Sequence, residues 1–136
     1  PEKMIMADPK RWLKSRFNRS SKLAIGRIED EYLRAFKQTK RIHATCEDYR
    51  AAATIDLEHD KNDRKKKLNI PIQVLWGKRG VVGNQFNSVK IWQKYTNKKV
   101  YGAEINSEHF IPEESPKHTI NHIKKFFLNN VKNNSK

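Results

Sequence analysis

The spacing of apolar positions changes halfway along the chain. In the first half they recur at helical intervals: Trp12, Leu13 and Phe17 follow Asp8-Pro9, with Asp8 suited to cap a helix and Pro9 to occupy its first position. A break at Asn18 to Ser21, together with Gly26, separates this helix from a second one predicted in "EDEYLRAFKQTKR", where Tyr32, Leu33 and Phe36 share a face. A third helix is predicted in "CEDYRAAATIDLEHDKNDR", which carries Tyr49, Ala52, Ala53, Ile55 and Leu57 around an alanine-rich centre. The charged stretch Asp60 to Lys67 then ends it as an exposed connection.

The second half reads as strand and helix in alternation. "NIPIQVLWG" is a short β-branched run between Pro71 and Gly77, as expected of a strand buried on both faces. After the turn "GKRGVVGN", Phe86, Val89, Trp92 and Tyr95 return to a helical period. "KVYGAEI" is a second strand, and "SPKHTINHIKKFFLNN" a last helix with Ser115 as cap and Pro116 at its first position. Its residues Ile120, Ile123, Phe126 and Phe127 are expected to face inward. Strand–helix–strand–helix implies a right-handed crossover between parallel strands. Two parallel strands are too few for a stable sheet, because such strands need neighbours on both sides and cover on both faces.

Composition sharpens this picture. The 136 residues suit a single core, yet only 36% are hydrophobic and 32% are charged, with a formal net charge of +14. Lys (20) outnumbers Arg (9) and Asn reaches 12, and acidic residues are interspersed with the basic ones, as on a solvated surface. The charge would attract nucleic acid or anionic lipid, but no nucleic-acid motif accompanies it, so specific nucleic-acid binding is not expected. The single cysteine, Cys46, excludes an internal disulfide framework and suits a reducing compartment. No apolar run reaches the roughly 20 residues needed to cross a bilayer, so a cytoplasmic protein without membrane contact is expected. The first residue is Pro rather than Met, which fits a segment of something longer.

The candidate chemistry centres on His109. It lies in "YGAEINSEHFIPEESP", just past the second strand, at the edge where ligands bind in open α/β sheets. His43, His59, His118 and His122 lie in helical or polar surroundings and read as ordinary structural histidines, while Trp76 and Trp92 read as core.

"SEHFIPEESPKHTINHIKKFF" resembles the last strand–loop–helix of α/β hydrolases, where a G-H-F-x-x-E-E-x-P stretch carries the catalytic histidine. "IHATCEDYRAAATIDLEHDKNDR", "IPIQVLWGKRGVV" and "VKIWQKY" resemble the haloacetate (fluoroacetate) dehalogenases within that family. The resemblance runs from about Asp8 to Phe127 and covers the C-terminal half or less of the family's domain. It implies a partial α/β-hydrolase fold: residues 1–67 as a portion of the helical cap with its return to the core, and 68–136 as the C-terminal βαβα part of the core.

By position, His109 matches the family's general base, which activates the water that cleaves an aspartyl ester. Tyr49 matches a cap tyrosine that helps hold the departing halide; without the resemblance it reads as a half-buried helix tyrosine. The implied reaction is hydrolytic removal of halide from a short 2-haloacid with no metal or organic cofactor. Another hydrolase of epoxide or ester type, or a non-catalytic basic interaction module, are the alternatives. No G-x-D-x-G or G-x-S-x-G elbow occurs in the chain, and no carboxylate follows the first strand in "LWGKRGVVG". Nucleophile and orienting acid are therefore missing, the chain alone is expected to be inactive, and the implied partner is the missing N-terminal half or a second copy. The motif's Gly before the histidine is Glu108 here, which sets a negative charge beside the imidazole.

Overall fold

The computed structural model describes residues 1–17 and 28–131. The expected break at Asn18 to Ser21 and Gly26 lies outside them. The chain divides into two compact units, Pro1–Asp63 and Arg64–Lys136.

Five helices build the described part of the first unit: α1 (Glu2–Ala7), α2 (Pro9–Phe17), α3 (Glu29–Phe36), α4 (Thr39–Ala52) and α5 (Ile55–Asp63). The Asp8 side chain accepts from the Arg11 amide at 2.9 Å and satisfies one of the free N–H groups at the start of α2. Ile5 of α1 closes a small core with Ile42 and Cys46 of α4, on which Trp12 and Phe36 pack. These two rings stack with centroids 4.9 Å apart and planes 7° from parallel. Such a pair adds about 0.5–1.5 kcal/mol to the area it buries. Phe17 lies against Tyr32 at 5.4 Å, which ties α2 to α3.

The predicted second and third helices are cut differently. Gln38 adopts an extended conformation (φ −85°, ψ 119°) and starts α4 at Thr39, so the run from Glu29 to Arg41 is two helices. At the other end of α4 the amides of Ala53 and Thr54 bond back three residues, to Arg50 and Ala51, and the Thr54 hydroxyl donates to the Arg50 carbonyl at 2.7 Å. That local hydrogen bonding competes with helix continuation and outweighs the alanine propensity. The apolar residues beyond it do not form a core: Ile55 and Leu57 are exposed. Helix α5 continues to Asp63, into the stretch expected to be a connection.

The second unit is a three-layer arrangement. Strands β1 (Ile72–Gly77) and β2 (Val100–Ile105) pair in parallel, Ile72 beside Val100 through Gly77 beside Ile105. One face carries Trp76 and Gly102 and is covered by α7 (Ser88–Trp92), through Val89. A Cβ on Gly102 would stand 2.2 Å from a Val89 methyl and 3.1 Å from the Trp76 ring, so the missing side chain makes room for both. The other face meets α9 (Pro116–Val131): Tyr101 packs edge-on against Phe126 at 5.6 Å, and the Gln73 side chain donates to the His122 carbonyl at 3.0 Å. Between these elements lie α6 (Val81–Gln85), a 3₁₀ turn at Gln93–Tyr95 and α8 (Ile111–Glu114).

The lower ends of the strands are fastened by Thr96, which is 1% exposed. Its hydroxyl lies 3.0 and 2.8 Å from the carbonyls of Leu68 and Ile70 and accepts from the Lys98 amide. Gln93 adds a bond from the Val100 amide and donates to the Lys98 carbonyl.

Four expectations are corrected. The first strand is half-buried along its length rather than buried on both faces, because it has one strand neighbour among the described residues. On α9, Ile120, Ile123 and Phe127 are exposed, and Phe126 is the apolar residue that turns to the sheet. Phe86 and Trp92 are likewise exposed, and the expected helix over 86–97 is the short α7 followed by the 3₁₀ turn. Ser115 directs its hydroxyl to the Asn106 carbonyl at 3.4 Å. No helix among the described residues is long and apolar enough to cross a membrane.

Two predictions follow from these contacts. The carboxyl of Glu2 is pulled down from 4.5 to about 2 by its own backbone amide and by the Arg50 guanidinium, 2.7 Å away. A depressed carboxylate stabilises the fold above its unfolded value and loses that contribution as the pH falls through its folded value. The thermal unfolding temperature of the first unit should therefore fall as the pH drops from about 4.5 to 2, and Glu2→Gln should flatten this dependence. In the second unit, a Cβ on Gly77 would stand 1.5 Å from the Glu108 carbonyl oxygen. Gly77→Ala should lower the stability of this unit by about 3 kcal/mol or more in urea unfolding, with no comparable loss for Gly80→Ala, where the same oxygen is 3.0 Å away.

Candidate functional site

The loop from Asn106 to Phe110 leaves the C-terminal end of β2 and crosses over the end of β1. Backbone bonds weld the crossing: Lys78 donates to the Ile105 carbonyl at 2.8 Å and Arg79 to the Ser107 carbonyl at 3.1 Å. Ser107 is buried beneath it. The Arg79 guanidinium spans the loop, donating to Glu108 at 2.7 Å and to the Asn106 side chain. The carboxylate of Glu108, expected to bear on the imidazole, is thus paired with a cation.

His109 stands at the tip of this crossing, exposed, with its ring edge-on to Phe110 at 5.0 Å. It is on a loop and not on a helix. Beside it opens a cleft of about 230 Å³ whose walls include Leu75, Trp76, Gly77, Val82 and Ile111. The lining is mostly apolar; Glu108 and His109 are its titratable residues, and with the Glu108 carboxylate paired to Arg79 the imidazole is the group left to act on a ligand there.

The residues that hold the histidine were not evident in the sequence. Glu114 accepts the amide of Glu108 at 2.7 Å with one carboxylate oxygen and the amide of Phe110 at 3.1 Å with the other. Two acidic residues in the first turn of a short helix, five residues after a loop histidine, are the available signal, since such side chains reach back to free amides at a helix start. The close approach at Gly77 left no signal beyond the glycine itself.

Tyr49 is on α4 and 74% exposed, so its phenol is not half-buried. Trp76 is half-buried against Gly102, in keeping with a packing role, whereas Trp92 is exposed. In the first unit Glu2, His43 and Glu47 offer ligand atoms within 4.8 Å of one another, but Arg50 already bonds both carboxylates. The cation that would compete for them is therefore part of the protein.

No protein-family model matches the chain. A fluoroacetate dehalogenase from a Burkholderia species is 29% identical over 131 residues, which is 93% of this chain and 42% of that protein. Among solved structures, a provisionally assigned acyltransferase from Salmonella enterica superposes with a TM-score of 0.89 at 36% identity, over 96% of this chain and 44% of that one. A provisionally assigned α/β hydrolase from Nostoc sp. PCC 7120 gives 0.86 at 40% identity over 93% and 44%. A provisionally assigned epoxide hydrolase from Pseudomonas aeruginosa gives 0.83 at 32% identity over 97% and 46%. The chain spans less than half the length of each of these relatives. Helices over a parallel strand pair, with a histidine loop at the C-terminal edge, make this chain a partial α/β-hydrolase fold that resembles the C-terminal portion of the hydrolases similar to haloacetate dehalogenases.

Proposed function

We propose that the chain supplies the histidine-bearing part of a hydrolase that removes halide from short 2-haloacids. The likeness to fluoroacetate dehalogenase over 93% of the chain is the observation that carries this reading. In it, a carboxylate supplied by the N-terminal part of the sheet displaces halide from the substrate carbon, so that a C–O bond forms as the carbon–halogen bond breaks. A nitrogen of His109 then takes a proton from water, and the hydroxide attacks the ester carbonyl, releasing the 2-hydroxy acid and regenerating the carboxylate. Tyr49 contributes a phenolic O–H donor to the leaving halide. The exposed position of His109 at the edge of a cleft supports this role, because the imidazole can meet water there beside a bound ester.

By itself the chain carries neither the attacking carboxylate on its elbow nor the acid that orients the base. It acts with a complementary segment that adds strands to the sheet. A second reading is favoured by the epoxide hydrolase likeness: attack on an epoxide carbon also gives an ester that needs the same activated water.

The test joins this chain to the N-terminal part of the Burkholderia dehalogenase and follows halide release from haloacetates. The joined protein should release halide and the chain alone should not. His109→Gln should lower the rate by about 1,000-fold or more, with the ester accumulating. Tyr49→Phe should cost about 10–100-fold, the worth of a hydrogen bond to an ion. Unchanged halide release from the His109→Gln protein would end the proposal, and turnover of epoxides with none of haloacetates would favour the second reading.

A further inference from the structure

The loop that presents His109 is closed by a single side chain. Glu114 takes the amides of Glu108 and Phe110, the residues immediately before and after the histidine, one on each carboxylate oxygen. The Phe110 carbonyl in turn receives the amides of Glu113 and Glu114, at 3.2 and 2.9 Å. The result is a closed ring of backbone and side chain that ties the Ser107–Glu108 peptide to the His109–Phe110 peptide and spans the histidine between them. Glu114 is half-buried, so these bonds are partly shielded from competing water. Beneath it, the Thr119 hydroxyl bonds the carbonyls of Ile111 and Ser115, holding the short helix that bears the carboxylate.

We propose that Glu114 is a positioning residue for His109: its carboxylate holds the Ser107–Glu108 and His109–Phe110 peptide groups, which bracket the histidine, and so sets the direction in which the ring faces the cleft. Its importance to catalysis rests on the reading of His109 as the base; its effect on the ring does not. A carboxylate suits the task because it offers acceptors alone, and both neighbours are donors. Glutamine offers one acceptor and one donor, so Glu114→Gln keeps one of the two bonds and opposes the other. Alanine keeps neither.

The test uses the isotopically labelled chain and two observables, exchange of the Glu108 and Phe110 amides and the through-space contact between the His109 and Phe110 rings. In Glu114→Ala both amides should exchange about tenfold faster or more and the ring contact should disappear, while amides within β1 and β2 keep their protection. In Glu114→Gln one amide should stay protected and the ring contact should be weakened but present. If the alanine variant fails to fold, the glutamine variant carries the test through the same asymmetry. Unchanged exchange and an unchanged ring contact in both variants would overturn the proposal. Altered exchange with an undisturbed ring would also overturn it, since Glu114 would then only stabilise the loop. Halide release by the joined protein carrying Glu114→Gln reports separately: altered ring contacts with unaltered turnover would leave the positioning intact and count against His109 as the base.

Discussion

The Glu108 carbonyl lies so close over Gly77 that no side chain fits between them, and this contact determines where the loop histidine stands. Parallel pairing alone places the ends of β1 and β2 side by side, but it does not say in which direction the chain leaves. The crossing does. Because the strand ends in glycine, the loop from β2 can lie on the backbone of β1 and exchange hydrogen bonds with Lys78 and Arg79. The imidazole is thereby held over the neighbouring strand, next to a cleft walled by residues of both loops. Arg79 and Glu114 both fix this loop, one through its side chains and the other through its amides.

Much of the framework was legible because local patterns and tertiary demands agree. Pro71 and Gly77 bound a β-branched run, and the strand is there. Asp8 with Pro9 marked the start of a helix, and Pro116 another. What failed to read out was burial. The apolar face assigned to α9 counted Ile120, Ile123 and Phe127 as inward, yet periodicity identifies a face without identifying what lies opposite it. Helix boundaries were lost at Gln38 and Thr54 for a different reason, since neither Gly nor Pro marks them and the break is made by backbone bonds of the last turn.

The site was legible in its central residue and not in its supports. His109 announced itself by following an apolar run at the edge of a sheet. Glu114 is hidden in "PEESP", where two acidic residues beside a helix start look like ordinary dipole partners. Nothing in one-dimensional spacing says that this carboxylate reaches backwards over five residues. Tyr49 is the converse case: the sequence resemblance picks it out, while its 74% exposure gives it no packing role within its own unit.

The two ends of the strand pair are fastened by different chemistry. At one end Thr96, Gln93 and the Asn97–Asn69 pair use uncharged groups; at the other, Arg79, Glu108 and Glu114 use charged ones. Register is held at both ends, by uncharged side chains around Thr96 and by the backbone bonds of Lys78 and Arg79 under the loop, none of which depends on ionic strength. Salt that screens the Arg79–Glu108 pair therefore acts on the loop bearing the imidazole and leaves the alignment of the two strands in place.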